Sequence, residues 1–148
     1  MMIPVALIQA GFSVGNVAFN VARIAVFYRM AVIAKAQLVV FSEMAITGYP
    51  PEDLVLSAQF QDRSMAALVE CAAMTADGPA MLIGSLWRED GALYNAVFLL
   101  ENGKIAARQY KTICPIPACS MNSALSCPGS CRNRWSGAAR SAPSSSAC

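Results

Sequence analysis

The chain contains no histidine in its 148 residues, and only 14% of its residues are charged. Without an imidazole, Ser-His and Cys-His catalysis and histidine-ligated metals are excluded. A net charge of +2 with no basic run argues against nucleic-acid binding. The N-terminus lacks the basic region of a signal peptide, and Arg23 and Arg29 interrupt the most apolar stretch. We therefore expect a cytoplasmic protein that binds neither nucleic acid nor membrane.

Residues 112–148 lack Asp, Glu and Lys altogether, and they hold five of the six cysteines and nine serines. Residues 1–111 carry all nine acidic residues and a single cysteine, Cys71. The amino-acid composition therefore changes abruptly after Lys111. The sequence predicts one folded domain over residues 1–111 and a Cys/Ser-rich disordered tail over residues 112–148.

The tail cysteines do not form the close C-x2-C pairs that are typical of zinc sites. A disulfide framework would need an oxidising compartment, for which the sequence gives no sign. We therefore expect no metal site. Cys71 lies among apolar residues of a predicted helix, which is typical of a small core residue.

The apolar pattern of residues 1–111 predicts the element order β-α-β-α-β-β-β. Asn102-Gly103 between two apolar runs is a strong hairpin signal. The fold class is thus α/β, with a mixed sheet whose parallel strands come first and whose antiparallel hairpin follows. The predicted strands are 3–9, which we expect to be buried, 38–42, 80–86, 93–100 and 104–111; the predicted helices are 16–35 and 58–74.

Glu43 follows the apolar strand 38–42 directly, and the carboxyl ends of such strands are where α/β proteins place their chemistry. Burial there would raise the pKa of a carboxyl group and suit it to proton transfer. A glutamate that simply enters solvent is an equal alternative. Lys111 ends the last strand and is either a stabiliser of negative charge or a surface lysine. Tyr49 and Asp53 either line a pocket near Glu43 or complete a turn.

The segment Val40–Leu54, with its run Thr-Gly-Tyr-Pro-Pro-Glu-Asp-Leu, resembles the nitrilase (carbon–nitrogen hydrolase) superfamily. It is most similar to the N-terminal glutaminase domains of glutamine-dependent NAD synthetases. Residues 5–20, 84–88 and 93–111 agree with the same family. The resemblance covers residues 3 to about 112 and implies part of an α-β-β-α sandwich. Ser42 departs from the family, which usually has proline before the glutamate.

The resemblance implies a Glu-Lys-Cys triad in which Glu43 is the general base and Lys111 supports the oxyanion. If Tyr49 lines a pocket near Glu43, we expect it to contact the substrate, which the resemblance implies is glutamine. No cysteine in residues 112–148 is followed by an acidic residue, as the family's nucleophile is, so none is assigned that role and we expect the chain to be inactive.

In the family the released ammonia serves ATP-dependent NAD synthesis from deamido-NAD. ATP and Mg would belong to a synthetase domain, with no cofactor in this domain, and the family is oligomeric. Two alternatives remain: another nitrilase-family amidase, or a non-catalytic pseudoenzyme fragment.

The foreign composition after Lys111 suggests a change of reading frame. The family continues approximately as D-L-P-N-x-x-V-F-D-E. When the possible codons of residues 112–116 are read one base earlier, they permit Asp-Leu-Pro-Asn. The same shift over residues 119–122 permits Val-Phe-Asp-Glu, and this Glu is forced because methionine has one codon. We therefore hypothesise a one-base frameshift near codon 112 that truncates the domain.

Overall fold

The structure is a computed structural model that describes residues 2–111. The predicted order of strands and helices is confirmed, with one added 3-10 helix. The disorder and metal predictions for residues 112–148 lie outside the described residues. The elements are β1 (Val5–Leu7), α1 (Val17–Ile33), β2 (Leu38–Val40), the 3-10 helix Glu52–Leu56, α2 (Ala58–Ala73), β3 (Ala80–Glu89), β4 (Ala92–Glu101) and β5 (Lys104–Lys111).

The strands form one five-stranded mixed sheet in the order β1-β2-β3-β4-β5. Strands β1, β2 and β3 run parallel to one another, and β4 runs antiparallel to both of its neighbours, β3 and β5. Asn102 and Gly103 join β4 to β5 with φ angles of 52° and 74°, as a two-residue hairpin turn requires. The predicted α/β architecture is confirmed.

The hairpin between β4 and β5 is not regular along its length. Leu100 pairs with Ile105, but Leu99 pairs with Ala107, so Ala106 has no partner on β4. One extra residue on one strand is a β-bulge, and it changes which residues of β5 share a face with those of β4. Beyond the bulge, Lys111 pairs with Asn95.

One face of the sheet, which we call the helix face, carries five apolar side chains with no exposed surface. These are Val39, Met81, Ile83, Phe98 and Leu100. The buried sides of α1 and α2 belong to the same apolar core. Both helices begin at a side-chain cap: Asn16 accepts from the amide of Phe19, and Ser57 accepts from the amide of Phe60.

The opposite face, which we call the open face, is apolar but far less covered. It consists of Val5, Leu7, Leu38, Val40, Leu82, Val97 and Leu99, according to the strand register. Val5 is 53% exposed and Leu7 is 65% exposed. The sequence-based expectation that the first strand is buried is therefore wrong, because β1 is an edge strand and only Ala6 points towards the core.

The segment after β2 is fixed to α1 by one buried side chain. The Asn20 amide nitrogen donates to the carbonyls of Ser13 (2.8 Å) and Ile46 (3.0 Å), and its oxygen accepts from the Ser13 amide (2.8 Å). Asn20 has no exposed surface, so these bonds satisfy a buried polar group. Among the described residues, no helix has the length and apolar character needed to cross a membrane.

Candidate active site

The fold brings Glu43 and Lys111 into contact although they lie 68 residues apart in sequence. The Nζ atom of Lys111 lies 3.2 Å from Oε1 of Glu43. Glu43 lies in the segment after β2, separated from Val40 by Phe41 and Ser42, and Lys111 is the last residue of β5. The carboxylate and the ammonium therefore meet at one end of the sheet, where a base and a stabiliser of negative charge could act on the same group.

Asn95 completes this contact from β4. Its side-chain nitrogen donates to Oε1 of Glu43 at 2.6 Å. Asn95 is opposite Lys111 in the strand register, so the two side chains lie on the same face of the hairpin. The sequence alone predicts no role for Asn95. The sequence does contain one signal, a polar residue within an apolar strand. That signal points to Lys111 only once the bulge is known, because the bulge sets the register that places the two residues opposite each other.

Gly84 allows the backbone at Glu43 to approach the sheet closely. A Cβ atom at Gly84 would lie 2.7 Å from the nitrogen of Met44 and 2.9 Å from Cα of Glu43. Both distances are shorter than side chains tolerate, so β3 needs glycine at this position. Because Gly84 has no side chain, the backbone of Glu43 can lie directly against β3.

The residue after Glu43 has a strained backbone. Met44 has φ of 56°, in the left-handed region that costs an ordinary residue about 1–2 kcal/mol. Its carbonyl accepts from the amides of Thr47 (3.2 Å) and Gly48 (2.8 Å), and its side chain is buried. Packing and hydrogen bonds therefore hold a sharp turn that directs Glu43 away from the core.

The solvation of the site lies between the two alternatives that the sequence left open for Glu43, burial and full exposure to solvent. The Glu43 side chain is 48% exposed and the Lys111 side chain 70% exposed. The burial expected for a carboxylate at a strand end is therefore only partial within the described residues. At this exposure the ion pair itself stabilises the fold by about 1 kcal/mol or less.

Three further residues named from the sequence lie near Glu43 along the chain. Tyr49 lies on the loop after Glu43 and is 64% exposed, so its ring is open to a ligand. Asp53 lies in the first turn of the 3-10 helix, where a carboxylate suits the helix dipole. Ser42 is exposed and lies between β2 and Glu43. Among the described residues, no hydrogen bond joins any of these three to the Glu43 carboxylate.

Cys71 lies on the buried side of α2 and has no exposed surface. Burial raises the pKa of its thiol to about 12, and the charge of Glu70 adds to the effect. A thiol in this state is neither reactive nor accessible. The prediction that Cys71 is a core residue agrees with this placement. Within residues 2–111, no group of three or more His, Cys, Asp or Glu side chains could hold a metal ion.

A second polar cluster, which the sequence pattern does not predict, lies on the face of the hairpin opposite Asn95 and Lys111. Arg108 and the Tyr110 hydroxyl both donate to the Glu89 carboxylate. The Tyr110 hydrogen bond, aided by Arg108, lowers the pKa of Glu89. Burial and the bond to Glu89 raise the pKa of Tyr110 to about 12. Arg108 also lies over the Trp87 ring, so this cluster is built for strand packing.

Comparison with known proteins places the chain and its fold in one family. Residues 4–130 match the family model described as carbon-nitrogen hydrolase, and the chain belongs to that family. The predicted resemblance to the nitrilase superfamily is thereby confirmed.

The curated relatives that it resembles are glutamine-dependent NAD(+) synthetases. The Rhodobacter capsulatus enzyme is 36% identical over 107 residues, which are 72% of this chain and 19% of the relative. The Xanthomonas campestris enzyme is 37% identical over 112 residues, covering 75% of this chain and 20% of the relative. The chain thus spans about one fifth of the length of these relatives.

Solved structures agree with this assignment. The glutamine-dependent NAD(+) synthetase from Cytophaga hutchinsonii matches with a TM-score of 0.70 and 27% identity, over 75% of this chain and 19% of that one. The enzyme from Acinetobacter baumannii matches with a TM-score of 0.68 and 28% identity, over 76% of this chain and 21% of that one. An amidase from Nesterenkonia sp. shares the fold, with a TM-score of 0.63 and 19% identity, over 74% of this chain and 42% of that one.

Proposed function

We propose that residues 1–111 are the first part of a glutamine amidohydrolase domain that would supply ammonia for ATP-dependent NAD synthesis from deamido-NAD. The observation that carries this proposal is the 3.2 Å contact between Glu43 and Lys111. It supports a base and a cation acting together, in a chain whose relatives are named glutamine-dependent NAD(+) synthetases.

In this reaction Glu43 takes the proton from a cysteine thiol, and the thiolate attacks the amide carbon of glutamine. Lys111 stabilises the negative charge that develops on the carbonyl oxygen. Glu43 then returns this proton to the amide nitrogen as the C–N bond breaks, so that ammonia leaves and a thioester remains. Water hydrolyses the thioester to glutamate and regenerates the thiol. The exposed ring of Tyr49 is available to contact the glutamine.

The described residues contain the base and the lysine but no cysteine suited to be the nucleophile. Cys71 is the only cysteine of residues 1–111, and its thiol is buried in α2 with a pKa raised to about 12. Cysteines of residues 112–148 lack the acidic neighbour that the family's nucleophile has. We therefore propose that this chain does not hydrolyse glutamine by itself.

The first experiment measures ammonia release from glutamine by the purified 148-residue chain, with the Rhodobacter capsulatus enzyme as the positive control. We expect no release above the blank. A burst or turnover that is lost in Glu43→Ala would show that the chain has a nucleophile after all and would overturn the proposed inactivity. Release that persists in Glu43→Ala indicates a contaminating enzyme, and the proposal stands.

The second experiment reads the DNA around and beyond codon 112. The proposal expects the frame one base earlier to encode Asp-Leu-Pro-Asn and Val-Phe-Asp-Glu, followed by a cysteine nucleophile and an ATP-dependent synthetase domain. If the shifted frame encodes an amidase without a synthetase domain, the family assignment stands but the role in NAD synthesis is wrong. If no frame continues the domain, the frameshift hypothesis is wrong.

A further inference from the structure

Asn95 holds the Glu43 carboxylate from a rigid part of the fold. Its side-chain nitrogen lies 2.6 Å from Oε1 of Glu43. Only 9% of Asn95 is exposed, and the residue lies within β4, which is paired with strands on both sides. An asparagine in this setting has few alternative rotamers, so its amide is a fixed donor.

The other donor to this carboxylate is much less constrained. Lys111 reaches the same oxygen at 3.2 Å, but its side chain is 70% exposed and has four rotatable bonds. A long exposed ammonium loses entropy when it is held in one place, so it orients a partner weakly. Of the two donors, Asn95 is therefore the one that can fix the direction of the carboxylate.

The two donors also distinguish the two oxygens of Glu43. Both Asn95 and Lys111 donate to Oε1, and no hydrogen bond from residues 2–111 reaches Oε2. An ionised carboxylate only accepts hydrogen bonds, so Oε2 keeps its full capacity to accept a proton. The arrangement leaves a single oxygen for the reaction.

We propose that Asn95 is a positioning residue that anchors Oε1 of Glu43 and so presents Oε2 as the oxygen that takes the proton. This inference rests on the proposed role of Glu43 as the general base. In the step concerned, the S–H bond of the nucleophile breaks, an O–H bond forms at Oε2, and the electron pair stays on sulfur as thiolate. Asn95 touches neither substrate nor nucleophile and acts through Glu43.

The test uses solution NMR of the isotope-labelled 148-residue chain, because this readout does not depend on turnover. We expect the side-chain couplings of Glu43 to report one rotamer in the wild type. One of the two Asn95 amide protons should exchange with water at least about tenfold more slowly than in Glu43→Ala, as expected for a bond to a charged acceptor.

Three variants separate the two donors. Asn95→Ala, and Asn95→Asp, which keeps the shape but removes the donor, should both average the Glu43 couplings over several rotamers. Lys111→Met is the matched control and should leave one rotamer. Core resonances such as those of Phe98 report whether each variant is folded; should Asn95→Ala unfold, Asn95→Asp and the wild-type measurements still decide.

Averaged Glu43 couplings in the wild type, or couplings unchanged in a folded Asn95 variant, would overturn the inference. A Lys111→Met variant that frees Glu43 as much as the Asn95 variants do would also contradict it. These outcomes leave the glutaminase proposal intact, since that proposal is tested by ammonia release and by the DNA. Conversely, if the gene does not continue as a glutaminase, NMR can still detect the hydrogen bond between Asn95 and Glu43, but that bond then has no role in catalysis.

Discussion

The two faces of the sheet differ sharply although the same strands build both. The helix face buries five apolar side chains completely, in one core with α1 and α2. The open face leaves Val5 and Leu7 more than half exposed, yet its far end carries the cluster of Glu43, Asn95 and Lys111. Stability therefore comes mainly from one face, and the proposed chemistry belongs to the other.

The largest expected effect comes from neighbouring residues of β4 that point to opposite faces. Phe98→Ala removes a side chain with no exposed surface and should lower the free energy of unfolding by about 3–5 kcal/mol. Val97→Ala, at a residue 39% exposed on the open face, should cost about 1 kcal/mol or less. Urea unfolding followed by circular dichroism measures both. Equal losses would mean that the open face is covered in solution.

The next effect concerns the tie between α1 and the loop that carries Glu43. Asn20→Ala leaves the Ser13 and Ile46 backbone groups without their partner, so we expect a loss of about 2–3 kcal/mol. Asn16→Ala removes only the exposed cap of the same helix and should cost about 0.5–1 kcal/mol. If the two asparagines proved equivalent in urea unfolding, the loop would not depend on this anchor.

A smaller effect is expected where β3 passes beneath Glu43. Gly84→Ala places a methyl group against the backbone of Glu43 and Met44, and should cost about 1–3 kcal/mol. The amides of Thr47 and Gly48, which bond to Met44, should also exchange faster. Gly11→Ala is the control, because a Cβ there meets nothing within 4 Å and stability should stay the same or rise slightly. An unchanged exchange rate of these two amides in Gly84→Ala would show that the loop carrying Glu43 can move away from β3 without losing its hydrogen bonds to Met44.

The smallest effect is a pH dependence of the Glu89 cluster. Hydrogen bonding from Tyr110, aided by Arg108, lowers the pKa of Glu89 in the folded chain. Its stabilising contribution is therefore present at neutral pH and is lost as the pH falls below its ordinary value of 4.5. The urea midpoint should drop less between pH 6 and pH 3.5 in Glu89→Gln than in the wild type. Tyr110→Phe should behave similarly, and an identical drop in all three proteins would contradict the assignment.

Much of the fold could be predicted from the residues, because local periodicity decides which residues form helices and strands. In α1 the apolar spacing predicts five inward positions, and Val17, Val21, Ile24 and Tyr28 are indeed buried. The fifth, Val32, is 44% exposed, because the last turn of α1 buries Ala31 in its place. In α2 the spacing predicts that Met65 points inward, but it is only half-buried, and Ser64 beside it is fully buried.

The site was harder to predict because it depends on contacts between distant segments. From the residues alone, Glu43 is a carboxylate at the end of one strand and Lys111 is a lysine at the end of another. Only the family resemblance predicts that the two belong to one site. Their contact needs the strand register and the close approach at Gly84, neither of which has a local signal. Asn95 was missed for the same reason.

Ala106 has no side chain at the site, yet it decides on which side of the sheet the lysine arrives. Side chains alternate along a strand, so every residue after the bulge has exchanged faces. If Ala106 instead paired with Leu99, Tyr110 would stand opposite Asn95 and the lysine would point to the side of Glu89. The ammonium therefore reaches the carboxylate only because Ala106 stays unpaired, and a register in which Ala106 pairs would disconnect Glu43 from Lys111 while leaving both residues in the chain.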